Sequence, residues 1–243
     1  MRTAIFSDTH ANLEALTVVL RAAEADGAER FVCLGDTVGY GADPNECCDL
    51  IRERTVAAIL GNHDAAVAGR MDYSYYYDAA REALDIHAAA LSQANMRWLR
   101  ALPYEHRDGR IAFCHSAPVD HEKFEYVFTP EHVERFVPIR EDLADVTFIG
   151  HTHLCRAFAV SEDGAREISA ERVDLGEASK YLISVGSVGQ PRDRDPRASY
   201  GIHDSVENAY YFRRVSYDVE SAARKIVEAH LDPNFALRLF LGV

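Results

Sequence analysis

TAIFSDTH, residues 3–10, indicates the fold class, because an apolar strand runs directly into Asp8 and His10. A helix follows, in which apolar residues recur at helical spacing and Asn12 is placed to cap the start. Residues 30–34 form the next apolar strand. Strand, helix and strand in this order predict a βαβ unit, and therefore a mainly parallel sheet at the N-terminal end.

The same alternation continues to residue 64. Asp43-Pro44-Asn45-Glu46 combines an N-cap residue, a proline at the first helical position and a capping-box glutamate, which predicts a helix to about Arg54. Residues 56–60 are predicted as a third strand. Residues 77–102 are rich in alanine, and we expect a helical segment there that is broken near Ser92.

The second half of the chain is rich in strands. Hairpin signals stand at Asp108-Gly109 and Asp163-Gly164. Further strands are predicted over 145–149, 181–185, 200–204 and 209–217. Two helices follow, the first capped by Asp218. We therefore predict two sheets sandwiched between helices, with a main domain over 1–217 and a helical extension over 218–243 that packs on this domain or on a dimer partner.

The composition is that of a folded, water-soluble protein. Hydrophobic residues make up 48% and charged residues 27% of the 243 residues, so the chain can bury one sizeable core. The formal net charge of -13 gives a surface that repels long nucleic acids. The charge therefore argues against a protein that binds long nucleic acids non-specifically.

The cysteines and the N-terminal residues favour a location in the cytoplasm. The 5 cysteines follow no C-x-x-C spacing, which favours a reducing environment. The apolar run at the N-terminus is too short for a signal peptide, and the sequence has no apolar stretch long enough to span a bilayer. We expect a cytoplasmic protein with no membrane partner.

Five short polar clusters each follow a predicted strand. They are Asp8-Thr9-His10, Gly35-Asp36, Gly61-Asn62-His63-Asp64, His115-Ser116 and Gly150-His151-Thr152-His153. Loops at the carboxyl ends of parallel strands converge on one crevice of an α/β sheet. The clusters are therefore predicted to form a single site.

The side chains of these clusters are typical of a metal site. They supply carboxylate, amide and imidazole donors but no thiolate, which suits Mn, Fe, Zn, Co or Ni better than Mg or Ca. Seven candidate donors exceed the needs of one ion. With Asp36 shared, they would fill two divalent ions roughly 3.5 to 4 Å apart, as in two-metal hydrolytic sites.

In this order the clusters resemble the calcineurin-like metallophosphoesterase superfamily, from Asp8 to about Gly201. A D-x-H or a G-D alone carries little information, whereas the five clusters together rarely arise by chance. The resemblance implies a four-layer α/β/β/α sandwich of two mixed β-sheets flanked by helices. It also implies two bound divalent ions, of which Mn is the one most expected to support activity in an assay.

The resemblance also implies a role for each cluster residue. The ligands of one metal would be Asp8, His10 and His153. Those of the other would be Asn62, His115 and His151, with Asp36 between the two ions. His63 would donate a proton to the leaving oxygen or stabilise the transition state, and Asp64 would orient the imidazole of His63.

Two further segments narrow the resemblance. GDTVGYG at 35–41 and SVGSVGQPR at 184–192 are similar to small prokaryotic phosphodiesterases and dinucleoside polyphosphate hydrolases. The expected function is therefore hydrolysis of phosphodiester or nucleotide phosphoanhydride bonds by attack of a metal-bridging hydroxide. The alternatives are a phosphoprotein phosphatase, or a scaffold of the same fold that has lost catalysis. Such scaffolds can lack the histidine that this chain keeps at His63.

Candidate substrate residues lie next to the clusters. Tyr40 stands between two glycines close to Asp36, and Arg192 follows a glycine-rich turn suited to phosphate binding. Aspartates alternate with the arginines near Arg192, so a solvated turn is the alternative there. Tyrosines over 73–77 offer a stacking surface for a nucleobase, although ordinary packing is favoured. His87 belongs to no cluster and is assigned no role.

The expected partner is a small phosphorylated or nucleotide substrate. The apolar side chains over 232–243 also make a homodimer contact an expectation.

Overall fold

Two mixed six-stranded sheets form the centre of the molecule. The computed structural model describes residues 1–177 and 179–243. In spatial order the first sheet is β3 (Ala57–Ala58), β2 (Arg30–Cys33), β1 (Arg2–Phe6), β11 (Ala198–Asp204), β12 (Ala209–Val215) and β9 (Arg172–Asp174). The second is β4 (Glu105–Asp108), β5 (Ile111–Cys114), β6 (Val146–Ile149), β10 (Lys180–Val185), β7 (Cys155–Ser161) and β8 (Gly164–Glu167).

Each sheet contains a parallel block. Strands β1, β2 and β3 run parallel, which confirms the βαβ prediction for the N-terminal end. Strands β5, β6 and β10 form the parallel block of the second sheet. The remaining pairings are antiparallel, including the predicted hairpins β4–β5 and β7–β8. The carboxyl ends of the parallel strands are where the functional loops begin.

Helices cover the outer faces of the sheets. Their bounds are α1 Leu13–Ala25, α2 Pro44–Arg54, α3 Asn62–Val67, α4 Asp78–Ala90, α5 Gln93–Ala101, α6 Pro130–Glu134, α7 Val219–Glu228 and α8 Pro233–Leu241. Helix α1 buries Leu16 and Leu20 against Phe6 of the first sheet, while α6 buries Val133 against Phe158 of the second. The four-layer α/β/β/α prediction is confirmed.

The core between the sheets is apolar and draws on both. Ile5 and Val32 of the first sheet pack in one cluster with Phe113, Phe148 and Ile183 of the second. Burial of such side chains stabilises the fold by about 1.5 to 3 kcal/mol each. The apolar alternation within the strands therefore fixes which face of each sheet is turned inward.

Several local predictions hold. Asn12 Oδ1 accepts a hydrogen bond from the Ala15 N–H, as expected for the cap of α1. The helical segment over 77–102 is broken at Ser92, whose side chain caps α5. The Asp218 carboxylate likewise caps α7 by accepting from the Ser221 N–H.

Other local predictions are wrong. The third strand is limited to Ala57–Ala58, because the Leu60 N–H leaves the sheet and donates to the Pro103 carbonyl. The short helix α3 and the edge strand β9 lack a recognisable sequence signal. Asp43 makes no side-chain capping bond at α2. Its carboxylate instead accepts a hydrogen bond from Lys225 Nζ, at 2.9 Å.

The two C-terminal helices pack on the same body. Ala222 and Ile226 of α7 and Phe235 of α8 share a cluster with Tyr40 and with Ala83 of α4. Apolar side chains on the outer face of α8 remain exposed, namely Leu237, Phe240 and Leu241. The boundary after residue 217 and the homodimer contact stay predictions. In residues 1–177 and 179–243 no helix is long and apolar enough to cross a bilayer.

Candidate metal centre

The five polar clusters meet at one end of the sandwich. Each follows a strand that enters the same edge: β1, β2, β3, β5 and β6. The seven predicted ligands are all buried, with none more than 5% exposed. Such a concentration of buried polar groups demands partners, because an unpaired polar group in a protein interior is costly.

Asp8, His10 and His153 form the first group. The Asp8 Oδ1 lies 3.4 Å from His153 Nε2 and 3.9 Å from His10 Nε2. The Nδ1–H groups of the two histidines donate to backbone carbonyls, of Val38 and Gln190 respectively. Each Nε2 therefore carries a lone pair, and the two Nε2 atoms face each other at 3.1 Å. Two lone pairs at this distance repel each other, and a bound cation would remove the repulsion.

The second group is built in the same way. The Nδ1–H of His115 donates to the Leu34 carbonyl at 2.7 Å, which turns Nε2 towards the site. That Nε2 lies 3.1 Å from Asn62 Oδ1. The amide of Asn62 is held in this orientation because its Nδ2 donates to the Tyr76 hydroxyl at 2.6 Å. Burial lowers the pKa of His115, but the neighbouring Asp36 and Asp8 outweigh this and raise it to about 9. Without a metal ion the Nε2–H therefore donates to Asn62, and a bound cation would take the place of that proton.

Asp36 lies between the two groups. The Oδ2 of Asp36 is 3.7 Å from His10 Nε2 and 3.4 Å from His115 Nε2. Its Oδ1 accepts a hydrogen bond from the backbone N–H of His63 at 2.9 Å, which fixes the direction of the carboxylate. One oxygen of Asp36 thus faces donor atoms of both groups, the position that a shared ligand requires.

His151 completes the second group. Its backbone N–H donates to Asp8 Oδ2 at 3.0 Å, and its ring Nε2 is buried without a hydrogen-bond partner in the described residues. One ligand atom from each of Asp36, His115 and His151 lies within 4.8 Å of the others. The orphaned ring nitrogen could serve as a ligand of a metal ion at this position.

The electrostatics of the cluster fit divalent ions. Burial lowers the pKa of His10 and His153 far below the ordinary value and lowers the pKa of His151 to about 3, so these rings are neutral ligands. Burial raises the pKa of Asp8, because its ionised form lacks water. A bound cation would replace that missing solvation. The buried His and Asp groups therefore suit divalent metal ions, as the sequence predicted.

Many of these residues have a strained backbone. Positive φ angles, which favour glycine, occur at five of the ligands: Asp8, His10, Asp36, His151 and His153. The strain is held by cross-loop hydrogen bonds, such as Asp8 N–H to the Gly35 carbonyl and His10 N–H to the Asp36 carbonyl. Clustering of such angles is typical of functional sites.

His63 lies beside the metal ligands, on α3. The centroid of its ring is 4.8 Å from that of His10 and 4.6 Å from that of Tyr40. Its Nδ1 is buried and has no partner in the part of the chain that the structure describes. Burial lowers the pKa of His63 to about 4. Gly39 packs so closely that a Cβ there would overlap His63 Nδ1, and its φ of +95° excludes most other residues.

The role predicted for Asp64 is wrong. Its carboxylate does not contact the His63 ring. Its Oδ1 accepts from the Val38 N–H at 3.1 Å, and its Oδ2 accepts from the Gly61 N–H at 3.2 Å. Consecutive residues of a helix point in different directions, so Asp64 and His63 on α3 cannot face each other. Asp64 instead ties together the two loops that carry Asp36 and Asn62.

The two predicted substrate residues lie at the edge of the cluster. The Tyr40 ring centroid is 4.6 Å from that of His10. The Arg192 guanidinium lies 5.9 Å from the Tyr40 ring centroid, and its Nη2 donates to Gln190 Oε1 at 3.0 Å. The charge of Arg192 contributes to the lowered pKa of His63, after burial. Arg192 is thus directed at the site and is not part of a solvated turn.

Three residues act on this site in ways that the sequence did not predict. Tyr76 orients Asn62, and the Tyr126 ring stacks on His151 with a centroid distance of 4.0 Å. His87 Nδ1 accepts from the Gly39 N–H and its Nε2–H donates to the Gly41 carbonyl, both at 3.0 Å. The run of tyrosines over 73–77 drew attention to Tyr76, but the spacing of these residues could not predict the contact between Tyr76 and Asn62.

Similarity to known proteins agrees with this site. The profile of the calcineurin-like phosphoesterase superfamily domain matches residues 1–208. The chain belongs to this superfamily. As a member it is a hydrolase acting on phosphate esters, and the family uses divalent metals, for which the buried His and Asp groups are suited.

Several relatives match this chain over almost its whole length. The protein MJ0912 of Methanocaldococcus jannaschii is 38% identical over 243 residues, which cover 98% of this chain and 97% of the relative. The crystal structure of a metallophosphoesterase from Sphaerobacter thermophilus is 33% identical, with a TM-score of 0.85 over 100% of this chain and 99% of that chain. The protein PH1004 of Pyrococcus horikoshii OT3 shares the fold at 18% identity, with a TM-score of 0.77 over 100% and 98% of the two chains.

Proposed function

We propose that this phosphoesterase binds two divalent ions and hydrolyses phosphodiester or nucleotide phosphoanhydride bonds. The observation that carries the proposal is the position of Asp36 Oδ2, which faces His10 Nε2 at 3.7 Å and His115 Nε2 at 3.4 Å. A carboxylate oxygen between two separate donor groups is the arrangement of a bridging ligand. Divalent ions held there supply the positive charge that offsets the phosphoryl oxygens and makes water nucleophilic at neutral pH.

Each donor group has the composition of one metal site. Asp8, His10 and His153 offer one carboxylate and two imidazoles. Asn62, His115 and His151 offer one amide oxygen and two imidazoles. Mixed nitrogen and oxygen donors favour Mn, Fe, Zn, Co or Ni, and we propose Mn as the ion that supports activity in an assay.

The neighbouring side chains prepare the site for a phosphate ester. In the ligand-free protein burial keeps His63 neutral, since the pKa of its ring falls to about 4. An anionic substrate beside the ring favours the protonated form and raises this pKa. His63 is then the group placed to protonate the leaving oxygen. Arg192, with a buried Nε that lacks a partner in the described residues, attracts the phosphoryl group.

The position of the site within an acidic protein favours small substrates. The formal net charge of -13 opposes long nucleic acids, whereas a buried cationic centre attracts a single phosphoryl group. The free cysteines in the described residues, of which Cys33, Cys47, Cys48 and Cys114 are buried, fit the cytoplasmic location that we propose.

The test is a product-resolved hydrolysis assay with Mn²⁺. A phosphomonoester, a phosphodiester, a cyclic nucleotide, diadenosine tetraphosphate and a phosphopeptide are compared, each with the wild type and with His63→Ala. We expect turnover of a diester or an anhydride that falls about 100-fold in the variant. Preferential turnover of the phosphopeptide would instead indicate a protein phosphatase. Failure to turn over any substrate would contradict the proposal in favour of a non-catalytic scaffold.

A further inference from the structure

A pocket of about 400 Å³ opens beside the metal centre. Aromatic and arginine side chains from separate parts of the chain line it, namely Tyr40, Tyr77, Tyr126, Arg192, Phe235 and Arg238. The Tyr40 and Tyr126 rings also contact rings of the proposed metal ligands, at 4.6 Å from His10 and 4.0 Å from His151. The pocket therefore adjoins the metal centre, with the Tyr40 and Tyr126 rings in contact with both.

Helix α8 forms one wall of this pocket. Its Phe235 packs on Tyr40 with a centroid distance of 4.8 Å, and its Arg238 lines the pocket from the same helix. Asp232 adds a negative charge at the start of α8, where its carboxylate caps the helix by accepting from the Asn234 N–H at 2.8 Å. The C-terminal helix is thus part of the site as well as part of the packing.

The two arginines of the pocket are free of carboxylate partners among the residues that the structure describes. Nearby arginines differ, since Arg197 pairs with Asp195 and Arg214 pairs with Asp193. The Arg192 side chain contacts neutral groups, namely the amide oxygen of Gln190 and the rings of Tyr40 and Tyr126, and its buried Nε has no partner in the described residues. In a protein of net charge -13, two unpaired guanidinium groups facing one pocket indicate an anionic ligand.

We propose that this pocket is the subsite for the leaving group of the substrate, and that it takes a nucleoside phosphate. The phosphate beyond the scissile bond binds Arg192 and Arg238, and the base stacks on the tyrosine rings. The pocket volume lies within the range of about 300 to 1,000 Å³ that is usual for small-ligand sites. This inference rests on the proposed function, and it narrows the substrate class to nucleotides with at least one further phosphate.

The test compares two substrates and two variants of the Mn²⁺-loaded protein. Diadenosine tetraphosphate carries a nucleoside and further phosphates, whereas bis(p-nitrophenyl) phosphate carries an aromatic ring but no second phosphate. The measured quantity is the ratio of kcat/KM for the first substrate to that for the second. We expect Arg238→Gln to lower this ratio about tenfold, because one charged hydrogen bond to phosphate is lost. The matched control is Arg194→Gln, an exposed arginine outside the pocket, which should keep the ratio within about twofold.

The experiment distinguishes failure of the subsite from failure of the proposed function. An unchanged ratio in Arg238→Gln, with both substrates hydrolysed by the wild type, refutes the subsite and leaves the proposed function intact. Absence of hydrolysis of either substrate refutes the proposed function. In that case the subsite is tested by calorimetry, which measures the affinity of the Mn²⁺-loaded wild type and of Arg238→Gln for ADP. Weakening of about tenfold in Arg238→Gln supports it, and equal affinity refutes it.

Discussion

Replacing His87 by leucine removes the link that holds the loop of Tyr40. His87 is 1% exposed, and its two ring nitrogens bond the Gly39 N–H and the Gly41 carbonyl at 3.0 Å each. Leucine fills similar space but leaves both backbone groups unsatisfied, at about 1 to 3 kcal/mol each. We expect His87→Leu to lower the free energy of unfolding by about 3 kcal/mol at neutral pH.

The same variant should change how stability depends on pH. Burial lowers the pKa of His87 from 6.5 to about 4, so between these values the unfolded chain binds a proton that the folded protein does not. The stability contributed by the neutral ring is therefore complete above pH 6.5 and is lost as the pH falls towards 4. For the wild type this loss is about 2 kcal/mol at pH 5. The variant lacks this group and escapes the loss.

Urea unfolding in EDTA at pH 7.5 and pH 5, followed by circular dichroism and by the fluorescence of Trp98, measures both effects. The difference between wild type and variant should shrink from about 3 to about 1 kcal/mol as the pH falls. The control is His106→Leu, a half-buried histidine on β4 that packs on Phe113. A difference for His87→Leu that is the same at both pH values would refute the assigned protonation state. A difference near zero at pH 7.5 would refute the role in the loop.

Three other variants test separate contacts. Tyr76→Phe removes the acceptor of the Asn62 amide and should weaken Mn²⁺ binding about tenfold by calorimetry, whereas the exposed Tyr75→Phe should not. Gly39→Ala and Gly69→Ala both place a side chain at positive φ, but only the new Cβ at position 39 would contact His63. We therefore expect kcat to fall about 100-fold in Gly39→Ala and to stay unchanged in Gly69→Ala. Lys225→Met removes the partner of Glu14 and Asp43 and should lower the free energy of unfolding by about 1 kcal/mol, against a smaller loss for Arg224→Met.

Each of these predictions has a result that contradicts it. Equal Mn²⁺ affinity in both tyrosine variants would show that Asn62 needs no orientation by the hydroxyl. Equal loss of kcat in both glycine variants would place the effect in backbone strain rather than in His63. Equal stability of Lys225→Met and Arg224→Met would show that the ion pairs of Lys225 contribute no more to stability than the exposed Arg224 does.

The sequence allowed the framework and the ligand cluster to be predicted, because both depend on short-range patterns. Apolar runs followed by polar clusters predicted where β1, β2, β5 and β6 end. The cluster then followed from the general geometry of parallel sheets. The ligand roles themselves came from the family resemblance and stay a proposal, although the geometry of Asp36 supports them.

The remaining features depend on contacts between distant residues. Asp43 satisfies every local rule for an N-cap, yet Lys225 of α7 competes for its carboxylate. Asp64 follows His63 in sequence, but the direction of its side chain on α3 is set by the neighbouring loops. His87 acts on a loop that is more than 40 residues away, and a single histidine in a helix gives no local signal of that role.

We propose that hydrolysis depends on two divalent ions that share Asp36 as a ligand. The most direct measurement is the rate of phosphodiester hydrolysis as EDTA-treated protein is titrated with Mn²⁺, with bound metal counted in the same samples. We expect no hydrolysis without metal, and a rate that reaches its plateau at about two bound ions per chain. Asp36→Ala should lower both the plateau rate and the number of bound ions. A full rate in the metal-free protein, or a plateau at about one ion that Asp36→Ala does not alter, would contradict this proposal.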